Sequence, residues 1–379
     1  MKVAFAKPEL GEEEVSAAAD AIRSGWVTQG PRVSAFEEAF AEYCGAEHAI
    51  AVSSCTTGLH LGLIMHGVGE GDEVIVTPHS FIASANAIRY VGARPVFVDI
   101  DPKTLNLDAE KIEGLLTERT KAIMAVHQVG RPAPMERLVE IAGRFGLGVI
   151  EDAACAIGSE LSGERIGGNT WSSLVAFSFH PRKVITTGDG GMLTTDDGEW
   201  ADRLRRMRQH GMSVNDLERH RSTNVVTERY LELGYNYRMT DIQASIGKVQ
   251  LERLPGILEN RRRLAVVYDN ELAGIDGVEL FLEPSNERWN YQTYLVRLAD
   301  RTCRERDEVM QLLRDRGVDT RRGIMSMHRE PSYRNDFGEQ SFPESERASD
   351  QCLALPLFPS MEEVEQEHVV TQLRKVLRE

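Results

Sequence analysis

Apolar positions up to about residue 210 follow a helical spacing in some segments and a strand-like spacing in others. Within residues 11–25, the i, i+3, i+4, i+7 spacing of one helix face is followed by Val15, Ala18, Ala19 and Ile22. The segment PRVSAFEEAFAEYCG predicts a second helix, because a proline stands at its start and a glycine just past its end. We therefore predict two helices at the start of the chain.

Short β-rich runs recur after these helices, and most are separated by helix-length segments. The runs are HAIAV, EVIVTP, PVFVDI, AIMAVHQV, GVIED and LVAFSF. Strands that alternate with helices are typical of a mainly parallel sheet with helices on both faces. This part of the chain is therefore predicted to have an α/β fold.

The pattern changes beyond about residue 240. The segment TDIQASIGKVQLERLPGILENRRRLAVVYDNEL predicts one long helix, suited to bridge two domains and interrupted at Pro255, where an amide hydrogen is missing. YQTYLVRL alternates like an antiparallel strand, and DEVMQLLRDRG and EEVEQEHVVTQLRKVL read as helices. Residues 327–347 are rich in proline, serine and charge and predict a long loop. A length of 379 residues favours a large domain plus a smaller one.

Composition narrows the class of protein. A hydrophobic content of 41% is ordinary for a globular chain, and no stretch approaches the roughly 18 apolar residues of a membrane span. The N-terminus turns acidic too early for a secretory signal, so we expect a cytoplasmic protein. A net charge of −15 argues against nucleic acid as a partner. Any phosphate-bearing ligand must therefore be bound by local donors.

The cysteines are scattered and odd in number, and their spacing does not match that of metal ligands. They are Cys44, Cys55, Cys155, Cys303 and Cys352. This usage predicts reduced thiols, with neither a disulfide framework nor a metal site.

The stretch FSFHPRKVITTGDGG places Lys183 just outside the carboxyl end of a predicted strand, where open α/β sheets bind ligands. Gly188, Gly190 and Gly191 follow and permit backbone conformations that other residues resist. A lysine in such a place can form an imine with a carbonyl cofactor, if its surroundings expose the free amine. By itself the pattern also fits a solvated lysine, and the GxGxxG spacing of a nicotinamide site is absent.

Three other strand ends carry suitable groups. Asp152 ends one strand, and its buried carboxylate would need a cationic partner, which a pyridinium nitrogen would supply; a helix cap or a salt bridge is the alternative. The turn SSCTTG opens a helix whose free N–H groups suit a phosphate, with simple N-capping by Ser54 or Thr56 as the alternative. Phe81 follows a further strand and either stacks on a flat ring or belongs to the core.

In this order the motifs resemble the DegT/DnrJ/EryC1/StrS family of sugar aminotransferases, which depend on pyridoxal phosphate (PLP) and have the aspartate aminotransferase fold (fold type I). The resemblance covers nearly the whole chain, from KPELGEEEV through EDAACAIGS, FSFHPRKVITTGDGG and GYNYRMTDIQASIGKVQLERL to LALPLFPSM. It implies a large PLP-binding domain over residues 1–254, with a mainly parallel seven-stranded sheet flanked by helices. Residues 255–379 would form a smaller α+β domain.

The resemblance also implies the roles of single residues. Lys183 would hold PLP as a Schiff base and move the proton between substrate and cofactor. Asp152 would keep the pyridine nitrogen protonated, and Phe81 would stack on the ring. These three residues would form the chemical centre of the site.

The remaining cofactor contacts follow from the same resemblance. The backbone amides of Cys55 and Thr56 and the hydroxyl of Ser178 would bind the phosphate. Asn236, in GYNYR, would reach the phosphate of the neighbouring subunit, so the active sites would be shared in a homodimer. Cys155 stands where the family often has Gln or His beside the phenolic oxygen of PLP, and a thiol is a poorer donor there. Cys55 replaces the glycine of the usual Ser-Gly-Thr turn, with little consequence because backbone groups bind the phosphate.

The implied reaction has two stages: glutamate or glutamine donates its amino group to PLP, and a keto group then accepts it. The acceptor would be a nucleotide-linked 3- or 4-keto-deoxysugar, with cyclitol ketones as the other common class. His328, Arg238 and Arg322 are the predicted substrate contacts.

Some family members are dehydratases with histidine in place of the lysine, so Lys183 favours aminotransfer. A PLP-binding regulator of the same fold, without turnover, is the alternative from a different class.

Overall fold

The computed structural model describes residues 1–214, 219, 222–300, 302 and 304–378. Its helices are numbered here in chain order. They are α1 (Glu12–Arg23), α2 (Pro31–Cys44), α3 (Cys55–Met65), α4 (Ala83–Tyr90), α5 (Met135–Phe145), α6 (Gly198–Met207), α7 (Asp241–Leu272), α8 (Arg306–Asp315), α9 (Pro331–Phe337), α10 (Pro343–Gln351) and α11 (Glu363–Val376). In the described part of the chain, no helix is both long enough and apolar enough to cross a membrane.

The strands are short, as in most globular proteins. They are β1 (His48–Val52), β2 (Glu73–Val76), β3 (Arg94–Phe97), β4 (Thr120–Val126), β5 (Gly148–Asp152), β6 (Glu160–Leu161), β7 (Glu164–Arg165), β8 (Leu174–Ser178), β9 (Gly191–Thr195), β10 (Val278–Leu280), β11 (Glu287–Arg288), β12 (Tyr294–Leu298), β13 (Arg321–Arg322) and β14 (Cys352–Leu355). Each of the six predicted β-rich runs forms a strand.

Seven strands form one sheet in the order β1-β9-β8-β5-β4-β2-β3. The neighbours from β8 to β3 are parallel, whereas β9 is antiparallel to both β1 and β8. The predicted mainly parallel seven-stranded sheet is therefore confirmed. Later in the chain, β10-β12-β14-β13 form an antiparallel sheet, which confirms the strand predicted from YQTYLVRL.

Apolar side chains cover both faces of the large sheet. Side chains of α2, α5 and the first half of α7 form one core, in which Phe36, Phe40, Phe177 and Phe179 pack ring against ring. Side chains of α3, α4 and α6 form the core on the other face. Burial on both faces explains why the strands appear in the sequence as nearly continuous apolar runs.

The helix α1 is present as predicted, but its predicted apolar face is wrong. Val15 and Ile22 are 60% and 57% exposed, whereas Glu14 is buried. The Glu14 carboxylate accepts hydrogen bonds of 2.6 Å from Gln250 Nε2 and Arg253 Nη1 of α7. This polar contact between helices orients α1, and apolar spacing along one segment cannot reveal it.

The long helix is also confirmed, but the predicted interruption at Pro255 is wrong. α7 is 32 residues long and continues through the proline without a break. Packing on both sides of the proline holds the helix together: Leu254 lies in the core under the large sheet, and Tyr268 lies in the core of the C-terminal sheet. The helix therefore bridges two cores, and the predicted domain boundary at 254/255, which lies inside it, stays a prediction.

The long loop predicted over residues 327–347 is wrong, because most of it is helical. A 3₁₀ turn covers Met327–Arg329, and α9 and most of α10 lie within the same stretch. Pro331 and Pro343 stand in the first turn of these two helices, where a missing amide hydrogen costs nothing. The two prolines therefore mark helix starts, not a structureless loop.

Gly191 allows the start of β9 to lie against the turn that opens α3. A Cβ atom on Gly191 would lie 2.5 Å from the carbonyl carbon of Ser54 and 2.6 Å from the amide nitrogen of Cys55. Gly190 is needed for space in the same way, since its Cβ would lie 2.4 Å from Thr187 Oγ1. Of the three predicted glycines, only Gly188 has a positive φ, of 86°. Close approach, more than unusual backbone angles, explains this glycine-rich segment.

We predict that Gly191→Ala lowers the thermal midpoint of the protein, because its methyl group meets backbone atoms that cannot rotate away. Overpacking of this kind costs about 1–3 kcal/mol. Gly143→Ala in α5 is the matched control, since a Cβ there meets no atom within 4 Å. It should leave the midpoint unchanged or raise it, because alanine favours a helix. Equal midpoints for the two variants, measured by circular dichroism, would refute the close-approach argument.

Candidate active site

The register of the large sheet brings the predicted residues to one edge. Asp152 ends β5 opposite Ala176 of β8, and Ser178 of β8 lies opposite Gly191 of β9. Gly191 in turn lies opposite Val52, the last residue of β1 before the α3 turn. The predicted phosphate turn, the aspartate and the lysine loop are therefore neighbours at the edge where α/β sheets bind ligands.

The turn before α3 is fixed by a capping box between Ser54 and Thr57. Ser54 Oγ accepts from Thr57 N at 3.2 Å, and Thr57 Oγ1 accepts from Ser54 N at 3.1 Å. N-capping by Ser54 is thus confirmed. It leaves the amides of Cys55 and Thr56 without a hydrogen-bond partner among the described residues. Two free N–H groups at a helix N-terminus suit an anion.

The Asp152 carboxylate is buried, with 5% of its surface exposed, and is held from several sides. Ser84 Oγ donates to Oδ2 at 2.7 Å, and the amide of Ala154 donates to Oδ1 at 3.1 Å. Ser80 Oγ lies 2.9 Å from Ser84 Oγ and extends this chain of hydroxyls. Sequence reasoning missed both serines. The only signal for them is their i, i+4 spacing beside the predicted stacking residue.

Lys183 lies within reach of the same group of side chains. Its Nζ donates to Cys155 Sγ at 3.1 Å, and Cys55 Sγ lies 3.9 Å from Asp152 Oδ1. Removal from water lowers the pKa of Lys183, but its neighbours, first Cys155 and then Asp152, outweigh this effect, so the pKa lies above its ordinary value. The amine therefore keeps its proton near neutral pH until a ligand changes its surroundings.

Neither active-site cysteine, Cys55 or Cys155, forms a disulfide bond with a described residue. Burial raises the pKa of Cys55 well above its usual range, so its S–H group stays protonated and points towards Asp152 and the carbonyl of Ala176. Cys44, Cys55, Cys155 and Cys352 are free thiols, while Cys303 lies outside the described residues.

Phe81 and Asn236 are exposed in the single chain. Phe81 precedes α4 with 65% of its surface exposed, so the alternative that it is a core residue is wrong. Asn236 pairs with Gln209 through one isolated β-bridge. The next residue, Tyr237, accepts a 2.8 Å hydrogen bond from the amide of Ser53. The segment that carries Asn236 thus runs beside the α3 turn, and the half-buried Ser178 lies at the end of β8.

The three predicted substrate contacts have different surroundings. His328 is buried, and its Nε2 lies 3.0 Å from Glu346 Oε1. Burial lowers its pKa, although the Glu346 carboxylate opposes this. Arg322 is exposed in β13, and Arg238 is half-buried. A substrate contact by any of the three stays a prediction.

His127, in AIMAVHQV, and His180, in FSFHPRKVITTGDGG, also have protein contacts. His127 is buried between Glu151, 2.8 Å from its Nε2, and the amide of Ala133, which donates to its Nδ1 at 2.9 Å. His180 accepts a 3.3 Å hydrogen bond from the amide of Arg182. Their contacts with the site are made by the backbone: the amide of His127 donates to the carbonyl oxygen of Asp152 at 3.1 Å, and the amide of Lys183 donates to the carbonyl oxygen of His180 at 2.8 Å.

The donor set of this site fits PLP. Free amides at the start of α3 match a phosphate, and the buried Asp152 carboxylate matches a protonated pyridine nitrogen. Lys183 supplies the amine for a carbonyl group, and the exposed ring of Phe81 offers a surface for stacking. The described residues contain no group of three or more His, Cys, Asp or Glu side chains placed to bind a metal ion.

Comparison with known proteins agrees with this geometry. The chain is 38% identical over 380 residues to an uncharacterised protein of Methanocaldococcus jannaschii, covering 98% of this chain and 97% of that one. Its structure matches the aminotransferase TlmJ from Streptoalloteichus hindustanus with a TM-score of 0.91 and 36% identity, over 100% of this chain and 99% of the other. It also matches DesV of S. venezuelae, solved with a ketimine intermediate, with a TM-score of 0.91, 34% identity and the same coverage.

Both matched structures are more than 30% identical to this chain over its full length. The similarity therefore includes the sheet that carries the candidate site. The model of the DegT/DnrJ/EryC1/StrS aminotransferase family matches residues 8–374. The chain therefore belongs to this family and is a PLP-dependent aminotransferase of fold type I.

Proposed function

We propose that this enzyme transfers an amino group from glutamate or glutamine to a nucleotide-linked 3- or 4-keto-deoxysugar, in the cytoplasm. The observation that carries the proposal is the grouping of Lys183, Asp152 and the free α3 amides at one edge of the sheet. The four free cysteines among the described residues agree with a reducing compartment.

When bound, PLP supplies an aldehyde carbon and a ring that withdraws electrons from the reacting carbon. The amides of Cys55 and Thr56, with the Ser178 hydroxyl, would bind the phosphate. Asp152, held by Ser84, would keep a proton on the ring nitrogen. Phe81 would stack on the ring.

Lys183 has two tasks in this proposal. Its Nζ would hold the cofactor covalently and, once free, would carry a proton between the reacting carbon of the substrate and the cofactor carbon that bonds nitrogen. Cys155 lies 3.1 Å from this nitrogen and would also face the phenolic oxygen of the cofactor. Although burial lowers the pKa of Lys183, Cys155 and then Asp152 raise it above its ordinary value, which favours holding the proton at Nζ between the two transfers.

Free arginines support a phosphate-bearing acceptor. Among the described residues, neither Arg238 nor Arg322 forms an ion pair. By contrast, Arg329 is paired with Glu346 and Asp350, at 3.0 and 2.8 Å. Since the chain carries a net charge of −15, unpaired cations of this kind are needed to bind a diphosphate. His328, the third proposed contact, would act together with its Glu346 partner.

Exposed apolar side chains beside Asn236 support a homodimer with shared active sites. Leu231 and Leu233 are 59% and 78% exposed, and Tyr230 is 65% exposed. Three large exposed apolar side chains within four positions of the chain favour an interaction surface there. We propose that a second copy covers it, and that Asn236 then reaches the phosphate bound by the other subunit.

The covalent linkage is tested by borohydride reduction and peptide mapping. We predict that reduction traps the cofactor on Lys183, since its amine lies beside Asp152 and Cys155. Lys183→Ala should abolish the trapped adduct and lower turnover by about 10²-fold or more, because a positioned acid–base group is lost. Lys248→Ala, at an exposed lysine paired with Glu252, is the control and should change neither result. A label on another lysine would refute the assignment.

The acceptor is tested with a panel of nucleotide-linked 3- and 4-keto sugars and a cyclitol ketone, each with glutamate and glutamine. We expect a product whose mass shows one amino group gained. Arg322→Gln and Arg238→Gln should each raise KM for a nucleotide-linked acceptor by about tenfold, as the loss of one charge-assisted hydrogen bond implies. Loss of water without nitrogen transfer would indicate a dehydratase. A reducible cofactor complex without turnover would indicate a regulator.

Shared sites are tested by mixing two inactive variants. Asn236→Ala and Lys183→Ala chains should regain activity when refolded together, because a mixed dimer contains one site with both residues intact. Each variant refolded alone is the control and should stay inactive. If size-exclusion chromatography shows mixed dimers but no activity returns, Asn236 acts within its own subunit.

A further inference from the structure

Asn290, between β11 and β12, contacts a loop of the candidate active site that is distant in the sequence. Its Nδ2 donates to the carbonyl oxygens of Cys155, at 2.7 Å, and Ile157, at 2.9 Å. Its backbone amide donates to Ser159 Oγ at 3.2 Å. Asn290 is fully buried, so these hydrogen bonds do not exchange with water. One side chain thus fixes the backbone that carries the Cys155 thiol.

Gln292, two residues later, contacts the second loop. Its Nε2 donates to the carbonyl oxygen of Arg182 at 2.6 Å, directly before Lys183. Its backbone amide donates to Asn290 Oδ1 at 2.8 Å. Asn290 and Gln292 are therefore joined to each other, and together they bind the two loops whose side chains meet at Nζ and Sγ.

Helix α7 holds this segment in place from the other side. Arg261 is buried and donates to the carbonyl oxygens of Tyr291, at 3.1 Å, and Gln292, at 2.8 Å. Arg262 donates to the carbonyl oxygen of Trp289 at 2.9 Å. Burial lowers the pKa of Arg261 to about 10, which still leaves the guanidinium charged at neutral pH. Charged donors on a long helix thus fix the backbone of the segment.

Two features show that the segment has little freedom to move. Tyr291 has φ of 48°, a left-handed conformation that non-glycine residues adopt only when their surroundings impose it. A Cβ on Gly130 would lie 1.8 Å from Asn290 Oδ1, so the amide is packed directly against the backbone after β4. Residues 289–292 therefore form a rigid support behind the active-site loops.

We infer that Asn290 and Gln292 are positioning residues for the transfer reaction, acting through the backbone of the Cys155 and Lys183 loops. The inference rests on the proposed function, since it assigns Lys183 the covalent and proton-transfer roles. Loss of either hydrogen bond would let a loop shift relative to Asp152. A displacement of about 1 Å in a reacting group can lower turnover about 10²-fold.

The test compares two buried glutamines that make the same kind of hydrogen bond. Gln292→Leu removes the donor to Arg182 and keeps a similar volume. Gln366→Leu is the matched control, because Gln366 Nε2 donates to the carbonyl oxygen of Leu264 at 2.6 Å and the residue is also buried, away from the active site, with 2% of its surface exposed against 9% for Gln292. We expect both variants to lose a similar amount of thermal stability. Each variant is then measured in two forms. The PLP-loaded enzyme gives kcat and KM, and the apoenzyme, given limiting PLP, shows how much of Lys183 is trapped by borohydride.

For Gln292→Leu we expect kcat to fall about tenfold or more, with KM for the amino donor changed less than about threefold, as for loss of a transition-state contact. The borohydride-trapped fraction of Lys183 at limiting PLP should also fall. Gln366→Leu should retain wild-type values of both. Gln292→His, which restores a donor near the same position, should recover at least part of kcat. Gln292→Glu lacks the donor and should not, and it also serves as a second variant if Gln292→Leu fails to fold.

Two results would overturn the inference. In one, Gln292→Leu and Gln366→Leu give the same kcat and the same trapped fraction. In the other, Gln292→Glu and Gln292→His have the same kcat. Failure of the proposed function is a separate outcome, since wild-type protein would then show no adduct on Lys183.

Discussion

The buried carboxylate of Asp152 is the constraint around which the site is organised. A carboxylate removed from water at the end of a central strand needs donors and a positive charge close by. Ser84 and the amide of Ala154 provide the donors, and Lys183 provides the nearby charge. Because the sheet register fixes β5 beside β8, the lysine loop that follows β8 can reach the same place. The arrangement suits a ligand with a protonated ring nitrogen, which would complete the set of groups around the carboxylate.

The site also depends on the close packing of the α3 turn against β9. The α3 turn must lie against β9 closely enough for its free amides to face the strand ends, and only glycine at position 191 permits this. Behind the loops, residues 289–292 and the arginines of α7 hold the backbone that carries Cys155 and Lys183. Elements of the large sheet and of the C-terminal part of the chain therefore meet at one group of side chains. The long helix α7, which packs in the core under the large sheet and in the core of the C-terminal sheet, carries that connection.

Much of the fold and the centre of the site could be predicted from local patterns. Strand runs, N-capping at Ser54 and the order of the phosphate turn, Asp152 and Lys183 are properties of short segments, and the structure confirms the strands and the N-cap that they predict. The errors share one cause. The buried face of α1, the continuity of α7 through Pro255 and the helices within residues 327–347 are all decided by contacts with other elements. Spacing within one segment does not contain those contacts.

The sequence by itself determined the fold class, the family motifs and the candidate residues for the chemistry, because those residues follow strand ends and the strand ends meet at one edge. Only the tertiary structure decided which groups support them. Ser84 is 68 positions from Asp152, Gln292 is 110 from Arg182, and Asn290 is 135 from Cys155. Hydrogen bonds over such separations have no periodicity along the chain. They form because burial removes water from polar groups, and those groups must then find whichever partners the fold brings near.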